Sequence, residues 1–205
     1  MRIPRQFFLI TIFATISLSA AAAAADSADA PSTAPDFIRT NCENTLYPQL
    51  CYHSLSGYAN AVQQDPARLA RVAIGVSLSR AKRVAFYIAN ISRQAEYGAD
   101  PRAAAALHDC FDVFGDAVDQ ISGSLKQMRR LSAANGGEEI RFEMSNVQTW
   151  MSAALTNEDT CTDGLEEVAD GPVKEDVVDR TVKVKEMTSN ALALVNSFVA
   201  KVIVP

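Results

Sequence analysis

Apolar side chains recur at helical spacing along three long stretches of this chain. An Asp-Pro pair, Asp65-Pro66 or Asp100-Pro101, opens each of the first two stretches. Aspartate is a favoured N-cap and proline is tolerated at the first helical position, so each pair predicts the start of a helix. The recurring apolar residues include Leu69, Val76, Val84 and Ile88 in the first stretch, Leu107, Phe114, Ile121 and Met128 in the second, and Val177, Ala191, Leu194 and Val202 in the third. Each stripe is wide enough to pack against other helices.

Two shorter helical candidates lie between the second and third stretches, at about residues 141–155 and 159–168. The loop 133–137 precedes them, and Gly171-Pro172 ends the second. No segment of the sequence alternates between apolar and polar residues over a useful length, so strands are not expected. We therefore expect an all-α fold in which residues 65–205 form an up-and-down four-helix bundle. Its helices should have about 30, 30, 28 and 30 residues, with the interrupted one counted as a single helix.

The N-terminal residues have the composition of a secretory signal. Arg2 and Arg5 precede a mostly apolar run of about twelve residues, and the small residues up to Ala25 suit signal-peptidase cleavage. We predict a signal peptide at residues 1–25, which is too short to span a membrane. Residues 26–35 are small, polar and proline-bearing, which predicts a disordered lead-in. The mature protein is therefore expected outside the cell.

The charge of the mature chain points to the kind of partner. Removal of the signal removes two arginines and changes the formal charge from −5 to −7. An acidic domain repels nucleic acid and pectin-like polyanions and is drawn to a basic protein. No later stretch is apolar enough to cross a bilayer, so neither nucleic acid nor a membrane is an expected partner.

In a secreted chain, the sequon Asn90-Ile91-Ser92 is a candidate glycosylation site.

Four cysteines, Cys42, Cys51, Cys110 and Cys161, remain in the mature chain. An even number in a secreted protein favours disulfides, and four cysteines allow three pairings. The nine-residue step from Cys42 to Cys51 suits a local bridge and would leave Cys110 with Cys161. Residues 36–57 then fit a helical hairpin, broken at Tyr47-Pro48, that extends from the bundle. Such a hairpin buries little surface alone, so it either packs on a neighbour or depends on its disulfide.

The chain offers few candidates for catalysis. His53 and His108 are its two histidines, and His108 lies two residues before a cysteine that is expected to be oxidised, which leaves no thiolate for a Cys–His pair. The carboxylate pairs at 138–139, 158–159 and 166–167 are expected at loops or helix ends, where acidic residues cap helices or face solvent. The sequence contains no serine elbow, phosphate-binding glycine loop or zinc-ligand spacing. We expect a protein that is not an enzyme and has neither a cofactor nor a metal.

Three segments of the chain carry a family resemblance. They are FIRTNCENTLYPQLC at 37–51, ALHDCFDVFGDAVD at 106–119 and VQTWMSAALTNEDTC at 147–161. In this order, and with the four cysteines at matching spacing, they resemble the plant invertase and pectin methylesterase inhibitors. The likeness runs from about residue 36 to residue 203. It implies a four-helix bundle preceded by a disulfide-bonded α-hairpin, with bridges Cys42–Cys51 and Cys110–Cys161.

The resemblance also implies a function for residues 36–205. It suggests a cell-wall inhibitor that binds its enzyme one-to-one and covers the active-site cleft. Invertase inhibitors of this family carry a Pro-Lys-Phe motif between the third and fourth cysteines. Here Ile140-Arg141-Phe142 lacks the proline and has arginine in place of lysine, and the two cations are not equivalent. Residues 148–156 and Tyr47-Pro48 are instead similar to the pectin methylesterase branch, so acid invertase is the alternative partner.

A polar stretch of the third bundle helix is the predicted contact surface. The predicted partner-binding residues are Gln148, Thr149, Ser152, Thr156, Asn157, Glu158 and Asp159. The first four are small or polar, so this face could approach an enzyme cleft and hydrogen-bond the groups there. The last three would add acidic contacts to a basic rim, or would cap the next helix. The same pattern also fits an ordinary solvated helix face. Trp150 is predicted to be core rather than an interface anchor.

Two further classes of protein remain as alternatives. A small-ligand carrier would need a cavity larger than about 300 Å³ inside the bundle. A structural wall protein should show proline- or glycine-rich repeats, and the sequence has none.

Overall fold

The structure is a computed structural model that describes residues 33–95, 100–131 and 136–203, and every regular element in these residues is a helix. The elements are α1 (Ala34–Cys42), α2 (Pro48–Leu55), a 3₁₀ turn (Ser56–Tyr58), α3 (Ala59–Val62), α4 (Pro66–Ala95), α5 (Pro101–Arg130), α6 (Gly137–Gly164) and α7 (Pro172–Ile203). The predicted all-α class is confirmed. No helix of the described segments is long and apolar enough to cross a membrane.

Helices α4 to α7 form a four-helix bundle around one core. Consecutive helices of this group are neighbours, and α4 also packs against α7, which closes the ring. Sequential neighbours joined by short connections make an up-and-down bundle, as predicted. Core residues with no exposed surface include Ile74, Phe114, Ile121, Met144, Val147, Met151, Val184 and Val195. Burying a side chain of this size contributes about 1.5–3 kcal/mol, so the apolar stripes are the main source of stability.

Side-chain caps begin three of the helices. Asp65 Oδ1 accepts hydrogen bonds from the N–H groups of Ala67 and Arg68, and Asp100 Oδ1 accepts one from Arg102 N–H. These are the two helix starts that the Asp-Pro pairs predict. At the N-terminus, Thr33 and Asp36 cap α1 reciprocally. The predicted disordered lead-in is therefore too long at its end, because α1 already begins at Ala34. Residues 26–32 and the predicted signal peptide at 1–25 lie outside the described residues.

Helix α6 is continuous where the sequence predicts two shorter helices. It runs from Gly137 to Gly164 without a break. The predicted division lay between residues 155 and 159, where three consecutive polar residues interrupt the apolar pattern. In the structure Glu158 occupies the buried stripe of α6, together with Met144, Val147, Met151, Ala154 and Cys161. A buried polar residue thus continues the helical period that its polarity obscures.

The hairpin of α1 and α2 packs on α7, α3 and α4. The disulfide Cys42–Cys51 joins its two helices, with 5.5 Å between the Cα atoms. Both cysteines are buried, as are Ile38 and Leu55. The hairpin therefore combines the two supports that its small size requires, a neighbouring surface and a covalent bridge.

One side chain of α7 fastens the turn of the hairpin to the bundle. Asn190 Oδ1 accepts the N–H of Tyr47 at 3.0 Å, and Asn190 Nδ2 donates to the Tyr47 carbonyl at 2.9 Å. Asn190 is only 3% exposed, so water does not compete for these bonds. The two bonds hold the chain at the point where Pro48 begins α2.

Replacing Asn190 with alanine should lower the free energy of unfolding by about 1–3 kcal/mol, because the N–H and carbonyl groups of Tyr47, which are partly buried, lose their partner. Asn196→Ala on the same helix is the matched control. Asn196 is exposed and accepts one hydrogen bond from Gln148, so its loss should cost less than about 0.5 kcal/mol. Urea unfolding followed by circular dichroism measures both effects. Equal losses in the two variants would contradict the role of Asn190.

Candidate partner-binding face

The outer surface of α6 carries three of the predicted partner-binding residues. Thr149, Ser152 and Thr156 are exposed and are spaced at i, i+3 and i+7, so they lie along one stripe of the helix. Gln148 is half-buried at the edge facing α7, where its Nε2 donates to Asn196 Oδ1 at 2.8 Å. The stripe therefore presents three hydroxyl groups on short side chains.

The other predicted residues of α6 point in different directions. Asn157 is half-buried at the seam with α5, and its Nδ2 donates to Gln120 Oε1 at 3.2 Å. Asp159 is on the opposite edge, where its Oδ1 accepts from Lys185 Nζ of α7 at 2.5 Å. Neither residue caps a following helix, since α6 continues past both. They border the stripe and hold α6 to its two neighbours.

Glu158 lies in the core, and its assignment as a surface contact is wrong. It has no exposed surface, and Thr188 Oγ1 donates to its Oε1 at 2.9 Å. Burial is the main reason why the pKa of this carboxyl is raised to about 8. Glu158 follows the buried residues Met151 and Ala154 by seven and four positions, which is the core side of the helix. That spacing was visible in the sequence and outweighs the polarity of the residue.

An acidic ridge, which the sequence analysis missed, lies on α5, the neighbour of α6. It consists of Asp109, Asp112, Asp116 and Asp119, all exposed and spaced at i, i+3, i+7 and i+10. Three of its aspartates also line a shallow depression with Ala85 of α4. His108 Nδ1 lies 3.3 Å from an oxygen of Asp112. The helical spacing was the available signal, since residues three and four apart share a helix face. We call the acidic ridge together with Thr149, Ser152 and Thr156 the α5–α6 face.

Trp150 lies at the seam between the two halves of the α5–α6 face. It is half-buried, and its ring packs on Gly123 of α5. Asp119, Gln120, Gly123 and Trp150 line a shallow depression there. The prediction that Trp150 is core thus describes only part of its surface. The close approach of the ring requires a residue without a side chain at position 123.

Gly123→Ala should lower the free energy of unfolding by about 1–3 kcal/mol. The added Cβ would lie 2.8 Å from Cε3 and Cζ3 of Trp150, so the ring must move. Gly115→Ala on the same helix is the control: its Cβ would meet nothing within 4 Å, and alanine favours helix by up to about 1 kcal/mol. Trp150 is the single tryptophan of the chain, so its fluorescence emission reports the movement. A shift is expected in Gly123→Ala and not in the control.

A second disulfide joins the two helices of the face. Cys110 of α5 and Cys161 of α6 are bridged, with 4.2 Å between their Cα atoms, and both are buried. The bridge lies on the inner side of the helices that carry the ridge and the stripe. It therefore fixes the two halves of the face relative to one another.

The predicted glycosylation site and the second histidine lie away from the α5–α6 face. Asn90 of α4 is half-buried, its Oδ1 accepts from the Arg93 guanidinium, and Ser92 of the same sequon is buried, so its glycosylation stays a prediction. His53 is exposed on α2. Among the described residues, no group of three or more His, Cys, Asp and Glu side chains is placed to hold a metal ion.

These features define a disulfide-linked helical domain whose candidate site is a surface rather than a cleft. The chain belongs to the plant invertase/pectin methylesterase inhibitor family, whose model matches residues 36–194. The family is one of inhibitors, not of catalysts, so the expectation that this protein is not an enzyme is confirmed.

Individual relatives cover most of the chain. A protein of Daucus carota named "21 kDa protein" is 45% identical over 175 residues, which are 84% of this chain and 89% of that protein. Pectinesterase inhibitor 11 of Arabidopsis thaliana is 40% identical over 196 residues, 95% and 94% of the two chains. The crystal structure of a mutant form A of a pectin methylesterase inhibitor from Arabidopsis superimposes with a TM-score of 0.61 at 21% identity, covering 80% of this chain and 97% of that one. This structural likeness shows the shared fold.

Proposed function

We propose that this protein is a secreted inhibitor of pectin methylesterase that binds the enzyme one-to-one and covers its active-site cleft. The observation that carries the proposal is the α5–α6 face, a rigid two-helix surface with an acidic and a hydroxyl-bearing half. The relatives named as pectinesterase inhibitors support the choice of target.

The chemistry of the face suits a close contact with an enzyme cleft. Short side chains at Thr149, Ser152 and Thr156 let the helix backbone approach a partner. The hydroxyls of Thr149 and Ser152 can donate and accept hydrogen bonds, whereas Thr156 Oγ1 donates to the Ser152 carbonyl and offers a partner its acceptor side. The acidic ridge would attract a basic rim around the cleft and accelerate association, with a strong dependence on salt. Inhibition by this surface needs no reaction, only the exclusion of substrate.

The defined face is small compared with a whole interface. At 1.5 Å per residue, the ridge spans about 15 Å and the stripe about 10 Å. Two helices about 10 Å apart then give roughly 300 Å², whereas each partner buries about 800 Å² in a specific interface of ordinary size. The proposed contact therefore has the α5–α6 face at its centre and extends onto the surface around it.

Acid invertase is the second candidate, and one observation favours it. Arg141 and Phe142, in the second turn of α6, are exposed, and Phe142 is 65% exposed. An aromatic side chain this open on a surface helix is available to a partner. The segment lies ten residues before Ser152, about 15 Å along the helix, so it belongs to a different contact zone from the hydroxyl stripe.

Secretion is part of the proposal. The predicted signal at residues 1–25 would direct the chain to the apoplast, where pectin is de-esterified. The two disulfides of the described structure suit an oxidising compartment.

A small-ligand carrier would need a hollow bundle interior, whereas Phe114, Met144 and Met151 lie fully buried within this bundle.

The proposal is tested with the mature, oxidised chain added to purified pectin methylesterase and, separately, to acid invertase. We expect loss of pectin methylesterase activity, an apparent inhibition constant that rises with pectin concentration, and a one-to-one complex by light scattering. Loss of invertase activity alone would overturn the choice of target. Inhibition that is independent of pectin concentration would contradict occlusion of the cleft.

A further inference from the structure

A row of polar side chains crosses the apolar core of the bundle. Ser77 of α4, Thr188 of α7 and Glu158 of α6 have no exposed surface. The hydroxyl oxygens of Ser77 and Thr188 lie 2.8 Å apart, and Thr188 Oγ1 lies 2.9 Å from Glu158 Oε1. The row therefore connects three of the four bundle helices and ends at a carboxyl group.

The hydrogen bonds of this row leave the carboxyl incompletely satisfied. Thr188 has one hydroxyl proton and donates it to Glu158, so the Ser77 hydroxyl is the donor to Thr188. Glu158 Oε2 is buried and has no hydrogen-bond partner. An ionised carboxylate would hold a full charge in the core with a single hydrogen bond, which is far more costly than burying the neutral acid.

The groups around Glu158 do not remove this cost. Asp159, its neighbour on α6, disfavours the charged form, whereas Lys185 of α7 and the Thr188 hydrogen bond favour it. From α4 the group that faces the row is the uncharged hydroxyl of Ser77. Burial outweighs the favourable contributions, so the pKa of Glu158 is about 8 in the folded chain, against 4.5 for an unperturbed glutamate.

We propose that Glu158 is a pH-sensitive switch built into the core, with the bundle folded around its uncharged acid and loosened between α6 and α7 when the proton is lost. The free chain alone carries this switch, so it does not depend on which enzyme the α5–α6 face binds. Thr156 of that face is two residues from Glu158, so loosening α6 here also disturbs the face. An acidic compartment keeps the inhibitor in its folded form, and neutral or alkaline surroundings weaken it.

The direction of the pH effect follows from proton linkage. Between the unfolded value of 4.5 and the folded value of about 8, the folded chain holds a proton that the unfolded chain has released. The stabilising contribution is complete below about pH 4.5 and is lost as the pH rises to about 8. The folding equilibrium constant should fall about tenfold per pH unit in this window from this group alone.

The experiment compares urea unfolding of the oxidised mature chain with that of Glu158→Gln from pH 5 to 9. Glutamine keeps the shape and the Thr188 contact but does not titrate. The folding equilibrium constant of the wild type should fall by about a factor of ten more per pH unit than that of Glu158→Gln, up to about pH 8. At that pH the folding equilibrium constant of the variant should be at least a hundredfold larger than that of the wild type. Every other ionisable group is the same in the two proteins, so the comparison isolates Glu158.

Asp159→Asn is the matched control, because it removes a carboxylate from the next position, which is partly exposed and paired with Lys185. The folding equilibrium constant of Asp159→Asn should fall with pH as steeply as that of the wild type. Equal slopes in the wild type and Glu158→Gln would overturn the proposal. If Glu158→Gln does not fold, ¹³C carboxyl titration of the wild type decides: a midpoint above 7 for Glu158 supports the switch, and a midpoint near 4.5 overturns it.

Discussion

Removing the Cys110–Cys161 bridge, as Cys110→Ala with Cys161→Ala, is expected to lower the free energy of unfolding by about 4 kcal/mol. The bridge spans 51 residues, and opening so long a loop returns conformational entropy to the unfolded chain. Both cysteines are buried between α5 and α6, so their loss also removes core contacts. Domains of this kind are stable by only about 5–15 kcal/mol, so the bridge supplies a large part of the total.

The hairpin bridge is the matched control for this effect. Cys42→Ala with Cys51→Ala opens a loop of only nine residues, for which the same entropy argument gives about 3 kcal/mol. Urea unfolding followed at 222 nm measures both variants under identical conditions. The prediction fails if the bundle variant is no less stable than the hairpin variant.

The two bridges should also differ in their effect on inhibition. Cys110–Cys161 joins the helices that carry the α5–α6 face, whereas Cys42–Cys51 lies within the hairpin. Loss of the first bridge therefore frees the two halves of the face to move relative to each other. Loss of the second leaves that face bridged. The bundle bridge is thus expected both to stabilise the domain and to position the face, whereas the hairpin bridge is expected only to stabilise.

Much of the fold could be predicted because its signals are local. The caps at Asp65 and Asp100 act within three residues, and the apolar stripes report the helical period directly. The number of bundle helices and their approximate lengths follow from these signals. The short step from Cys42 to Cys51 and the break at Tyr47-Pro48 predicted the hairpin and favoured the observed disulfide pairing, which the family resemblance also implies.

The features that escaped prediction depend on tertiary contacts. Asn190 and Tyr47 are 143 residues apart, so nothing in either local sequence indicates that they bond. Glu158 was assigned to the surface from its polarity, whereas the core position is set by Thr188 and by the apolar residues one and two turns before it. In both cases a polar group is buried because a partner from another helix satisfies part of its hydrogen bonding.

The candidate face was predicted in part. The stripe on α6 was found from its small polar residues, but only Thr149, Ser152 and Thr156 point outward. The acidic ridge on α5 was overlooked, although its four aspartates have helical spacing in the printed sequence. How the ridge lies relative to the stripe could not be read from spacing alone, because it depends on how α5 and α6 pack.

Ser152→Arg should weaken the inhibition of pectin methylesterase by about a hundredfold, which corresponds to roughly 3 kcal/mol. Ser152 is exposed in the middle of the hydroxyl stripe, and arginine would place a long cation where a close approach is needed. The cation would also repel the basic rim that the acidic ridge is proposed to attract. Arginine is a good helix former, so the free energy of unfolding should change by less than about 0.5 kcal/mol.

Ser79→Arg tests whether the location, rather than the substitution, causes the loss. Ser79 is exposed on α4, which packs against α5 and α7 and stands diagonally opposite α6 in the bundle. The same side chain is added to a helix of similar length, so a general effect of charge or helix stability appears equally in both variants. If the α5–α6 face is the contact, the inhibition constants of Ser152→Arg and Ser79→Arg should differ by about a hundredfold. Comparable inhibition by Ser152→Arg and Ser79→Arg would place the enzyme contact elsewhere, and the exposed pair Arg141-Phe142 would then be the next surface to alter.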